Sequence, residues 1–269
     1  MDRVERALEK ARLQREGAEG IRVSEVPPDG PPVSPKAIVY DRTRQEKVSP
    51  KTLEKSRLVA GLENDWRANP FKVLRAQVLK RMSQDGLRTI GITSAAPGDG
   101  KSLIAANLAM SIALDINQTV LLVDLDLRRA RIASYFGLKP EQGLSDYLLE
   151  KCPLEDCLVN PGIDRLVLLP EKGAVSNSSE LLGSPRMKDL AQELKERYAD
   201  RIVIYDLPPL FAGDDALVIA PSIDSMILTV QAGKTTKNEI ESSLSLLRDT
   251  KLIGTVLNRG TQEEKYYYH

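Results

Sequence analysis

Apolar positions along this chain alternate between two patterns. Six short runs, at residues 87–93, 119–123, 166–169, 201–206, 225–230 and 252–257, are nearly continuous in aliphatic and β-branched residues. That is the pattern of strands buried on both faces. Between and before them lie stretches with helical spacing at 51–60, 70–82, 130–136, 144–149, 184–198, 215–220 and 238–248. In 70–82 the apolar face is Phe71, Leu74, Val78 and Leu79. Residues 103–114 are apolar and Ala-rich without Pro or Gly, which predicts a buried helix. Ser184-Pro185 supplies an N-cap and a first-turn proline for the helix that follows. The alternation predicts a mostly parallel sheet with helices on both faces. Ahead of it, residues 2–15 form a thin helical stripe of Val4, Leu8 and Ala11, either solvated or docking. Residues 17–35, with Pro27-Pro28 and Pro31-Pro32, predict an extended linker.

The first strand runs into Ala95-Ala96-Pro97-Gly98-Asp99-Gly100-Lys101-Ser102, and the buried helix begins at Leu103. Strand, glycine loop, Lys-Ser and helix is the context a phosphate-binding P-loop requires. Gly98 and Gly100 let the backbone curl its N–H groups around a phosphate chain. The helix adds its positive N-terminal end. Lys101 can reach the β- and γ-phosphates, and Ser102 can offer its hydroxyl to Mg²⁺. The motif normally opens with Gly; here that position is Ala95.

Two more strands end in carboxylates, the second at Asp124 and Asp126 and the fourth at Asp206. Ligands of open parallel sheets sit beyond the carboxyl ends of the strands. All three aspartates can therefore meet one Mg-nucleotide, the alternative being plain helix caps. The only histidine is His269, which removes histidine-based acid–base chemistry from any core site. Lys+Arg and Asp+Glu both number 38, so no global field draws the chain to nucleic acid or an anionic membrane. Cys152 and Cys157 fit neither a zinc pattern nor a disulfide framework. No secretory signal or spanning run is visible.

Residues 95–102, 120–128 and 202–209 together resemble the Walker A, A′ and B motifs of the bacterial tyrosine kinases of capsule and exopolysaccharide production. The resemblance covers about residues 70–269, including Glu180-Leu181-Leu182 and Asp215-Ala216. It implies a P-loop NTPase fold, ATP and Mg²⁺ as cofactors, and relationship to partition and division-site ATPases. Pro97, Gly98, Asp99, Gly100, Lys101, Ser102 and Leu103 would bind nucleotide, with Asn258 at the adenine. Ser102, Asp126 and Asp206 would hold the metal, and Asp124 would be the base for a tyrosine hydroxyl, whose pKa is about 10. Family members often carry Glu, Arg and Arg at three-residue spacing in a ring contact; the matching positions are Asn69, Lys72 and Arg75. Walker B usually reads Asp-Thr/Ser-Pro-Pro, but Leu207 stands here.

The end of the chain, Lys265-Tyr266-Tyr267-Tyr268-His269, matches the family's terminal tyrosine cluster, its autophosphorylation site. A tail leaving Arg259 can extend on the order of 30 Å at about 3.4 Å per residue, so phosphorylation in trans is expected. The expected organisation is an N-terminal helix and linker (1–48), a helical lead-in for self-association (49–86), a kinase domain (87–258) and the tail (259–269). The extension resembles starts in an exosortase-associated subgroup. Expected partners are a separate membrane adaptor of the polysaccharide co-polymerase type, further copies of the chain and a cognate tyrosine phosphatase; nucleic acid is not expected. The protein is expected to be cytoplasmic, recruited by its adaptor to the inner face of the membrane. Two other readings stand. A partition or division-site switch ATPase would carry an extra Lys where Ala96 stands, and the division-site type a terminal amphipathic helix. A scaffold with decayed catalysis would not need Lys101, Ser102, Asp124, Asp126 and Asp206 together.

Overall fold

The computed structural model describes residues 43–62, 65–115, 117–198 and 200–260. The expected helix at 2–15, the linker at 17–35 and the tail tyrosines lie outside them. The strands are β1 (Arg44–Gln45), β2 (Thr89–Ser94), β3 (Thr119–Asp124), β4 (Val159–Asn160), β5 (Leu166–Leu169), β6 (Arg201–Asp206), β7 (Ser225–Gln231) and β8 (Leu252–Asn258). The helices are α1 (Pro50–Lys55), α2 (Asn69–Gln84), α3 (Lys101–Ala113), α4 (Ile132–Tyr135), α5 (Leu144–Leu148), α6 (Leu154–Cys157), α7 (Ser178–Leu182), α8 (Pro185–Glu196), α9 (Asp215–Ile219) and α10 (Lys237–Leu246). Among the described residues the strands form one sheet in the order β1-β4-β5-β3-β6-β2-β7-β8. Every pairing is parallel except β4 with β5.

The sheet is buried on both sides because successive residues of each strand enter different cores. Val120, Leu122, Ile202 and Ile204 pack with α3 and α2 on one face. Leu121, Val123, Val203 and Tyr205 pack with α8 and α9 on the other. Apart from Leu103, the whole of α3 is buried, as an all-round apolar helix requires. Ser184 caps α8 through the Met187 N–H at 3.2 Å. Thr236 and Glu239 form a capping box that starts α10 one residue earlier than the periodicity predicts. Among the described residues no helix is long and apolar enough to cross a membrane.

Two expectations need correction. The helix expected over 51–60 stops at Lys55, because Arg57 takes a left-handed φ of 58° and the chain re-forms as a 3₁₀ turn at Val59–Gly61. The six expected strands omit edge strand β1 and its neighbour β4, which at two residues each are too short to leave a hydrophobic run. Asn160 holds β4 by donating to the Leu166 carbonyl at 2.9 Å.

The broken helix is fastened by one buried side chain. Asn107 Oδ1 accepts from the Ala60 N–H at 3.0 Å, and Nδ2 donates to the carbonyls of Arg57 and Leu103, both at 3.0 Å. At about 0.5–1.5 kcal/mol net per hydrogen bond, and more where a buried partner is orphaned, Asn107→Ala should cost about 2–4 kcal/mol. Asn107→Asp, which keeps the acceptor, should fall between. Urea denaturation of both variants checks this; a loss within about 0.5 kcal/mol would show that the lead-in is held by other contacts.

Candidate active site

Three adjacent strands, β3, β6 and β2, deliver the site. Asp124 and Asp206 are register partners across β3 and β6, and Ile92 of β2 pairs with Asp206. The loop leaving β2 turns through Gly98 at φ 90° and Gly100 at φ 97°, and Gly100 directly precedes α3. Gly100 is also boxed in: a Cβ there would run into Asn258 Nδ2. That nitrogen donates to the Asp99 carbonyl at 2.8 Å, so the end of β8 is bonded to the P-loop backbone. Asp99 is buried, accepts from the Ala96 N–H at 3.2 Å and faces Lys234 at 3.6 Å. It shapes the loop from behind.

At the foot of the loop Lys101 Nζ lies 2.7 Å from Asp126 Oδ2, 3.4 Å from Asp206 Oδ1 and 3.2 Å from Ser102 Oγ. Burial works against the ammonium, but Asp206 and Asp126 outweigh it and hold Lys101 above the usual lysine range. Burial raises Asp206 despite the Lys101 charge beside it. Asp206 Oδ2 is buried and has no hydrogen-bond partner. An orphaned carboxylate oxygen, a serine hydroxyl and a second carboxylate facing the cleft make an all-oxygen donor set suited to Mg²⁺. Among the described residues no three acidic, Cys or His side chains form a cage of their own. The donors present therefore fit a cation that phosphates and water help to ligate.

Asp124 belongs to this cluster but stands behind it. It is fully buried; Oδ2 accepts from the N–H groups of Arg131 and Ile132, both at 2.9 Å, and Oδ1 from Asp126 N–H at 3.3 Å. Burial and the charge of Asp206 push it up to about 8. The carboxyl expected as the base is thus driven towards its neutral form, and it does not line the cleft.

The cleft has a volume of about 900 Å³. Pro97, Gly98, Gly100, Lys101, Ser102, Leu103, Asp126 and Asn258 line it, while Asp99, Asp124 and Asp206 support it. Leu207 is buried and would lie 2.7 Å from a Cβ on Gly91, so the departure in Walker B serves the core. Arg75 donates to the Ser111 carbonyl at 2.7 Å, tying α2 to α3 of its own chain, and Lys72 is exposed. Several lining residues had no role in the sequence reading: Lys55, Ser56, Arg57, Arg128, Arg129, Arg131, Tyr135 and Arg259. Arg128 is fixed by Ser178 Oγ at 2.7 Å and Asp215 Oδ2 at 3.2 Å, and Ser178 also donates to Asp215. The basic run after Asp126 was the visible signal for Arg128, Arg129 and Arg131; nothing local marks Lys55 or Arg57.

Gly100→Ala combines a left-handed φ with a collision against Asn258. Strain of about 1–3 kcal/mol should weaken nucleotide binding by roughly tenfold or more, read by titration with a fluorescent ATP analogue. Unchanged affinity would mean that the loop binds phosphate in another conformation.

No family model matches the chain. Tyrosine-protein kinase YwqD of Bacillus subtilis is 32% identical over 203 residues, 74% of this chain and 84% of that protein. The putative tyrosine-protein kinase CapB of Staphylococcus aureus is 29% identical over 74% of this chain and 88% of that protein. Among solved structures, the kinase domain of Escherichia coli ETK superposes with a TM-score of 0.72 at 27% identity, covering 84% of this chain and 91% of that one. The chimeric protein CapA2B2 gives 0.71 at 28% identity, over 81% and 94%. The septum-site protein MinD of Pyrococcus horikoshii, solved with Mg-ADP, is 23% identical with a TM-score of 0.56 over 66% of this chain and 72% of that one, and shares the fold. With a P-loop lysine clasped by two strand-end aspartates, and with YwqD matched along most of its length, the chain belongs to the bacterial tyrosine-protein kinase family.

Proposed function

We propose that this chain is an ATP- and Mg²⁺-dependent tyrosine autokinase that phosphorylates its C-terminal Tyr266, Tyr267 and Tyr268 in trans, as a control on capsule or exopolysaccharide synthesis or export. The observation that carries the reading is the Lys101–Asp126–Asp206 cluster at the P-loop. Bound Mg-ATP supplies the phosphoryl group. The amides of residues 98–102 and the N-terminus of α3 face its oxygens. Lys101 leaves Asp126 for the triphosphate, which frees that carboxylate for the cation or the acceptor. Ser102, Asp126 and Asp206 hold the cation. The acceptor tyrosine oxygen bonds to the γ-phosphorus as the bond to ADP breaks, its proton passing to the carboxylate cluster and ADP leaving with the cation. Asp126 is the one member of the aspartate trio that lines the cleft. Asp124 backs it from inside, fixing the 126–132 backbone.

The domain division at residues 48, 86 and 258, the membrane adaptor, the phosphatase and recruitment to the inner membrane face belong to the same proposal. So does self-association through the α2 face. There Lys72 and the exposed Val73 are available, while Arg75 is engaged within its own chain.

Incubation with Mg-ATP followed by intact-mass and peptide mapping tests the function. Phosphate is expected on the tail, reduced about a hundredfold or more by Lys101→Met, on the scale of losing a key electrostatic contact. The triple Phe substitution of Tyr266, Tyr267 and Tyr268 should abolish it. ATP hydrolysis without phosphotyrosine, with an adaptor fragment also failing to elicit it, would replace the kinase with a switch ATPase. A rate per molecule independent of concentration, in a sample shown to be monomeric, would rule out the trans step.

A further inference from the structure

The charge around the cleft is far from balanced, although the whole chain is neutral. Lys55, Arg57, Arg129, Arg131 and Arg259 line it and are exposed. None of these five side chains has an ion pair or hydrogen bond among the described residues, whereas Lys101 and Arg128 do. The acids that line the cleft are Asp126 and Asp215, and they are the partners of Lys101 and Arg128. The five cations are therefore in excess of every carboxylate in the cleft. They are also in excess of what a nucleotide needs, since P-loop amides, Lys101 and the accompanying cation already answer a triphosphate.

Their backbones are set before any ligand arrives. Asn107 fastens the Arg57 carbonyl to α3. Asp126 accepts from the Arg129 N–H at 3.2 Å and Asp124 from the Arg131 N–H at 2.9 Å. Three separate segments thus present cations to one opening, a field that attracts a second, anionic ligand. The chain carries a ligand of that chemistry at its end. Residues 261–269 read Thr-Gln-Glu-Glu-Lys-Tyr-Tyr-Tyr-His, with Glu263 and Glu264 three and two positions ahead of Tyr266. In extended backbone that places the two acids about 7–10 Å upstream of the first acceptor, so a tyrosine at the phosphates leaves them at the rim.

We propose that Arg129 and Arg131, with Lys55 and Arg57, form an acceptor subsite that selects tyrosines preceded by acidic residues, its first occupant being the Glu263-Glu264 segment of a second copy of this chain. This rests on the kinase reading above and adds what the kinase chooses.

The test uses the full chain loaded with Mg-ADP and three labelled nonapeptides: TQEEKYYYH, TQQQKYYYH and TQKKKYYYH. Binding is read by anisotropy, and phosphotransfer to the same peptides is then measured with Mg-ATP. The acidic peptide should bind about tenfold tighter than the neutral one, the size expected of a few exposed ion pairs acting together. The gap should shrink in about 0.5 M salt and should recur in KM more than in kcat. The double variant Arg129→Glu/Arg131→Glu should reverse the ranking, so that the lysine peptide binds best; a merely misfolded site would lose all three. Equal binding of the three peptides, or an unchanged ranking in the double variant, overturns the subsite. Selective binding without transfer, with an adaptor fragment also failing to elicit it, leaves the subsite standing and removes the kinase reading. Transfer without selectivity does the reverse.

Discussion

A buried ammonium held between two strand-end carboxylates is the contact on which this site depends. Lys101 lies 2.7 Å from Asp126 and 3.4 Å from Asp206, with Asp124 in the same buried cluster. Three carboxylates taken out of water beside one cation are costly unless charge is supplied. The cluster answers that cost in two ways. Burial and Asp206 drive Asp124 towards its neutral form, and Asp206 keeps one oxygen without a partner, where a divalent cation has most to offer. A site of this kind favours Mg-nucleotide because occupancy relieves the electrostatic debt of the empty cluster.

The fold exists to bring that cluster together. Parallel strands β3, β6 and β2 place their carboxyl ends side by side, and the loop of residues 95–100 carries β2 directly into α3. The strand ends were legible in the sequence because aliphatic runs stop at Asp124 and Asp206, and because Gly98, Gly100 and Lys101 have few other reasons to stand together. Ser184 and Pro185 marked their helix for the same local reason.

What was not legible depends on distant packing. Nothing near residue 57 announces that its carbonyl will be held by Asn107, fifty positions later, and so nothing predicts that α1 breaks there and turns Lys55 and Arg57 towards the P-loop. Asp124 sits at a strand end like any exposed catalytic carboxylate. Its burial follows from the loop that returns Arg131 and Ile132 to its oxygens. Arg75 was expected at a contact between copies; its guanidinium donates to the Ser111 carbonyl of its own chain. Asn258 both lines the cleft and serves the structure, because its amide holds the Asp99 carbonyl.

The most direct measurement is a crystal structure of the full chain with Mg²⁺ and a non-hydrolysable ATP analogue. Lys101 Nζ should leave Asp126 and contact the triphosphate, with Ser102, Asp126 and Asp206 gathered around the metal and the P-loop backbone unchanged. An analogue bound away from residues 97–103, or a triphosphate in the cleft with Lys101 still on Asp126, would contradict the claim that this lysine–aspartate clasp is the nucleotide site.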